Sequence, residues 1–226
     1  MMESLKQTVA YIRSDKNVAF AVLGVGLTIG VAALGFGFYW YRWNREHQAV
    51  EAWVNAFSSV EEARNKKTPQ AWQEVEVAFS HGFEQYKSSA TAGYFLIYQA
   101  QALLQQNKHE QACEVLAEAL QYIPRTSYLY HSYAVKLARM QIDASDSTLQ
   151  QQGEQTLKEL SEDPENPLRD MALYYYGLLY FYGHQNREAA QTIWNTLLTE
   201  YSTQAEDAYT YSPWVEKAQA KLNYSE

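Results

Sequence analysis

The sequence predicts an all-α protein: one N-terminal transmembrane helix followed by an α-solenoid of about four helical hairpins plus a capping helix. Three observations predict it. Residues 18–41, VAFAVLGVGLTIGVAALGFGFYWY, lie in a run with no charged side chain between Lys16 and Arg42. Downstream, apolar residues recur at helical spacing and small residues return at fixed offsets along the chain. The chain beyond residue 45 is also poor in strand-and-turn punctuation, because five of the ten glycines (Gly24, Gly26, Gly30, Gly35, Gly37) sit inside the apolar run.

Residues 1–17 are polar with Leu5, Val9 and Ile12 at helical spacing. They read either as a short amphipathic segment on a membrane surface or as a charged tail that sets topology. At about 1.5 Å of rise per residue, residues 18–41 span roughly 36 Å, enough to cross a hydrocarbon core of about 30 Å with some tilt. The run exceeds the apolar region of a signal peptide and ends in Phe-Tyr-Trp-Tyr rather than a small-x-small cleavage site. Tyr39, Trp40, Tyr41 and Trp43, with Arg42 and Arg45 beyond, have the composition of an interfacial belt. Lys6, Arg13 and Lys16 outnumber Arg42 and Arg45 by one, which places the N-terminus in the cytoplasm and the following domain on the exported side. Gly26, Gly30, Ala33 and Gly37 share one helical face. They read either as a contact surface for another membrane helix or as the ordinary glycine content of membrane helices.

From Asn44 to Lys67 no Pro or Gly intervenes, and Val50, Trp53, Phe57 and Val60 form a stripe, so the membrane helix is expected to continue into a domain covering residues 42–226. Thr68 as N-cap and Pro69 at the first position open a helix to about Lys87 that buries Trp72, Val75, Phe79 and Phe83. Next, Leu96, Ala100, Leu103, Ala112, Leu116, Ala119 and Pro124 fall at relative positions 4, 8, 11, 20, 24, 27 and 32. This resembles the tetratricopeptide repeat, a helix–turn–helix of about 34 residues whose small residues let two helices touch. Tyr130, Tyr133, Ala134 and Leu137 start a second unit, and Gly153, Leu157 and Leu160 complete it if about seven residues are inserted in the turn, at 143–148. A third unit has Leu173, Tyr176, Gly177, Tyr180, Ala189 and Ile193 at positions 4, 7, 8, 11, 20 and 24. The units are expected near 44–87, 93–125, 127–162 and 170–201, with a capping helix at 213–223 opened by Ser212 and Pro213.

Charge and chemistry narrow the function. Residues 1–45 carry five Lys and Arg against Glu3 and Asp15; the rest carries 13 against 24 acidic residues, a balance that repels phosphate backbones and argues against nucleic acid. The five histidines are scattered, no two of them at i+3 or i+4 from one another, and no nucleophile elbow, phosphate loop or dinucleotide fingerprint occurs. No catalytic residue, metal or cofactor is expected, and no small-molecule substrate. Cys113 is expected as a small packed side chain. The repeat resemblance implies a concave face lined by the first helix of each pair. In this chain those positions are Tyr94, Ile97 and Gln101, then Tyr128, His131, Val135 and Arg139, then Met171, Tyr174, Leu178 and Tyr182. A groove rich in tyrosine suits a loosely selective protein or peptide partner. Positions 2 and 6 hold Tyr94 and Tyr98, Tyr128 and Ser132, Met171 and Tyr175 rather than Lys or Arg, so the clamp of heat-shock co-chaperones is absent.

The short N-terminus, the glycine-rich span, the exit YWYRWNREHQ and the imperfect repeats together resemble the bacterial single-span ancillary subunit of the Sec translocon. The resemblance implies an inner-membrane protein with a periplasmic repeat domain. Its partners would be the translocon, a membrane-anchored periplasmic chaperone or prolyl isomerase, and unfolded secretory proteins. The alternative is a structural scaffold for another envelope assembly concerned with secretion, division or outer-membrane biogenesis.

Overall fold

The computed structural model describes residues 16–202 and 212–223, and among these the chain is helical, without a strand. Helix α1 covers Lys16–Lys66, α2 Pro69–Tyr86, α3 Ala92–Gln105, α4 His109–Gln121, α5 Tyr128–Ile142, α6 Ser147–Glu162, α7 Arg169–Leu178, α8 Arg187–Tyr201 and α9 Pro213–Asn223. A π-helical turn, Leu179–Gly183, continues α7. The chain forms two compact units, Met1–Glu51 and Ala52–Glu226. The expected amphipathic segment with Leu5, Val9 and Ile12 lies outside the described residues.

In the first unit, α1 runs unbroken through Trp43 and Val50, and the apolar side chains of its span face outward: Phe20 is 72%, Leu27 73%, Leu34 77% and Phe36 72% exposed. Among the described residues no helix is long and apolar enough to cross a membrane. Of the expected span, the side chains of residues 18, 19, 21–23 and 26 fall outside that set.

In the second unit each helix from α2 onward packs against the next in the chain, an arrangement consistent with an α-solenoid. The last turn of α1 ends where Lys67 turns left-handed (φ 53°) and donates its N–H to Ala63 at 2.8 Å. Thr68 then caps α2, its hydroxyl accepting from the Ala71 N–H at 3.3 Å, with Pro69 supplying the fixed φ of the first turn. Trp72, Val75, Phe79 and Phe83 are buried as their spacing requires. Val60 is buried too, whereas Val50, expected on the same stripe, is exposed. Tyr98 joins three helices: its ring lies 5.5 Å from Trp53, 5.4 Å from Phe57 and 5.1 Å from Phe79.

Two departures from the 34-residue pattern have physical causes. The seven extra residues expected in the turn at 143–148 are mostly taken up by the helices on either side, since the turn between α5 and α6, residues 143–146, is only one residue longer than the turn 106–108 between α3 and α4. Ala100 lies five residues from the end of α3 and Ala134 eight from the end of α5; Ala112 comes three residues after the start of α4 and Gly153 six after that of α6. The part of α5 beyond its small residue and the part of α6 before its own are therefore each three residues longer than in the preceding hairpin, although α5 as a whole, at 15 residues, exceeds α3 by only one. Asp146 makes the longer α6 possible by accepting from the Thr148 and Leu149 N–H groups at 2.6 and 3.2 Å.

The second departure lies in α8. Ala189 and Ile193 were expected inward, but Ala190, Trp194 and Leu197 are the fully buried residues, one position later. The π turn inserts that one residue: the His184 N–H reaches back to the Leu179 carbonyl at 3.1 Å, five positions away rather than four. Trp194 then fills the space left by Gly177 and donates Nε1 to the Tyr174 carbonyl at 3.2 Å.

Candidate functional site

The first helices of the hairpins do present tyrosines, but only part of the expected groove is surface. Tyr94 on α3 is 43%, Tyr128 at the start of α5 64% and Tyr182 in the π turn 61% exposed, while Gln101 and Met171 are half-buried. Four expected groove residues, Ile97, His131, Val135 and Tyr174, are core instead. The correction follows from packing. Helix α3 is bracketed by α2 and α4, and α5 touches α4, α6 and α7, so two faces of each are covered; the fifth positions, Ile97 and His131, and the ninth of α5, Val135, turn inward. Tyr174 is covered by the cap, its ring 5.2 Å from Trp214 of α9.

Three of the expected residues meet. Arg139, Leu178 and Tyr182 line one open cleft of about 420 Å³ with Ile142, Leu157, Tyr175 and Leu179, where α5 and α6 face α7 and its π turn. The Arg139 guanidinium lies over the Tyr175 ring at 4.0 Å. Across the same aromatic wall, Tyr175 is 5.2 Å from Trp214, whose face carries the Lys217 ammonium at 3.9 Å. Lys221 donates to the Tyr182 hydroxyl at 2.8 Å and sits over its ring. Burial, partly offset by the nearby Lys221, pushes the Tyr174 phenol up from its usual value. Sequence reasoning missed Tyr175, Trp214, Lys217 and Lys221. The signal was there in part: Trp214, Lys217 and Lys221 stand three and four residues apart, on one face of α9.

A second cleft of about 520 Å³ shares Ile142, Leu179 and Gly183 with the first, and beside it His184 Nε2 lies 3.1 Å from Glu154 Oε1. Among the described residues no group of three or more His, Cys, Asp or Glu could hold a metal ion. Cys113 is buried, and desolvation followed by the charges of Glu110 and Glu114 pushes its thiol up, away from the reactive thiolate. In the first unit Ala33 is exposed and a Cβ at Gly30 or Gly37 would meet nothing within 4 Å; the surroundings of Gly26 lie outside the described residues. No protein-family model, curated protein or solved structure matches the chain.

Proposed function

We propose that this chain is a membrane-anchored, non-enzymatic protein-binding module, an ancillary subunit of the Sec translocon that works with periplasmic chaperones on secretory proteins. Residues 18–41 would cross the inner membrane with the N-terminus cytoplasmic, and the helices beyond would form a periplasmic tetratricopeptide-like array. The observation that carries this reading is the outward-facing apolar surface of α1, in a run of sequence without a charge. So much contiguous apolar area is costly in water and is satisfied by lipid. The stacked hairpins that follow, with exposed Tyr94, Tyr128 and Tyr182, support a binding surface rather than a catalytic centre.

Photo-crosslinking residues placed at Tyr94 and Tyr128 in the full chain, in cells actively exporting protein, should yield adducts containing a translocon subunit or a secretory protein. Capture of nothing at either position while export proceeds would overturn the proposal.

A further inference from the structure

Cations gather beside the cleft between α5 and α7 although the domain around it is acidic. Beyond residue 45 acidic residues outnumber basic ones 24 to 13. Three cations from two separate helices nonetheless converge on one aromatic wall: Arg139 over Tyr175, Lys217 over Trp214 and Lys221 over Tyr182. Among the described residues neither Arg139 nor Lys217 has a carboxylate partner, and both are exposed, Arg139 lining the cleft and Lys217 lying beyond it on the face of Trp214. A ring face orients a cation through its quadrupole without neutralising it, so the positive charge remains available to a ligand. Asp143 is the one carboxylate among the residues lining the cleft, and Ile142, Leu157, Leu178 and Leu179 make the rest of the wall apolar.

The geometry points to a binding site for acidic peptide segments, a carboxylate meeting the Arg139 fork while a neighbouring aliphatic or aromatic side chain enters the apolar part of the cleft. This rests on the protein-binding reading above and names the chemistry of the partner. The cleft volume suits a few residues of extended chain rather than a folded surface. Arg presents a planar fork that matches a carboxylate bidentately, and stacking on Tyr175 pre-organises it. An anionic lipid headgroup would supply charge but no side chain for the apolar wall.

The test uses the full chain in phosphatidylcholine nanodiscs, titrated with Glu-Glu-Leu-Phe-Glu-Glu-amide carrying fluorescein on its N-terminal amine and with the same labelled peptide carrying Gln for every Glu. The acidic peptide should bind about tenfold more tightly or better, with an affinity that falls as salt rises. Arg139→Gln and Lys217→Gln should each weaken it by about tenfold without changing the thermal midpoint, since both side chains are exposed, and Arg139→Lys should recover part of the loss. Equal binding of the two peptides, an unchanged Arg139→Gln protein, or Arg139-dependent binding of phosphatidylglycerol vesicles with no peptide binding would each overturn the inference. If the acid preference is missing while crosslinks at Tyr94 and Tyr128 persist, this inference falls alone; if those crosslinks fail, the wider reading falls.

Discussion

A Cβ added at Gly177 would stand 2.2 Å from Trp194 Nε1, inside the contact that seats the largest fully buried side chain of the domain. Gly177→Ala must push the indole off the Tyr174 carbonyl, and the overpacking should cost about 1–3 kcal/mol, measurable as a lower urea midpoint at unchanged slope. Single titrating groups give a pH signature of their own. Asp146 accepts two backbone N–H groups, and these bonds hold its carboxyl below the usual value. The stability it contributes is present at neutral pH and disappears as pH falls through the carboxylate range, so Asp146→Ala should lower the melting temperature at pH 7 and make little difference near pH 2. Tyr176 behaves oppositely. Burial first, then its contact with the Tyr180 hydroxyl at 3.4 Å, raises its phenol well above the ordinary range. Its contribution is complete below about pH 10 and is lost as pH rises beyond, so Tyr176→Phe should flatten the alkaline fall in melting temperature. Residues whose role is local were readable in advance: Thr68 and Pro69 act within one turn, and the sequence states them directly. Gly82, against which the Phe95 ring is packed, was not readable, because nothing near it in the chain announces a partner on the next helix.

At the scale of helices, the long hairpin explains where the cleft comes from. Three extra residues at the end of α5 extend it by roughly 4.5 Å, and Ile142, which lines both clefts, lies in that extension. The repeat spacing exposed the insertion but not its conformation. A seven-residue excess reads equally as a loop or as added helix until the Asp146 cap and the helix lengths decide. The groove positions failed in part for a similar reason: a periodic pattern gives the stripe of a helix, not the number of neighbours that will cover it, and α5 has three. The junction of α6, α7 and α8 depends on Arg169, whose guanidinium donates to the Ser161 carbonyl at 2.7 Å and pairs with both oxygens of Glu200. Arg169→Ala should remove charge-assisted bonds across two interfaces and cost about 2 kcal/mol, appearing as faster amide exchange in α7 and α8 ahead of α2 and α3.

For the whole molecule, the division into an apolar helix and an acidic helical domain is written in composition, since no charge interrupts residues 18–41 and most acidic residues follow them. If that helix is the anchor, the full chain should stay with membranes through carbonate extraction. Replacing the exposed Leu27 and Leu34 together by Arg, at about 2.5–3.5 kcal/mol each near the bilayer centre, should release it to the supernatant. The helical array beyond was legible in the sequence and the proposed peptide site less so, because that site would draw on side chains from α5, α7 and α9 that meet only in three dimensions. The π turn sets a different kind of limit, on how the gene can drift. The turn already holds one residue more than the 34-residue spacing, so a one-codon deletion within it would return α8 to that spacing and keep Trp194 facing Gly177, whereas a one-codon insertion would rotate α8 by about a quarter turn and carry Trp194 away. Single-residue insertions should be tolerated in the turn at 163–168 yet purged from Leu179–Gly183, although neither segment is buried as a whole.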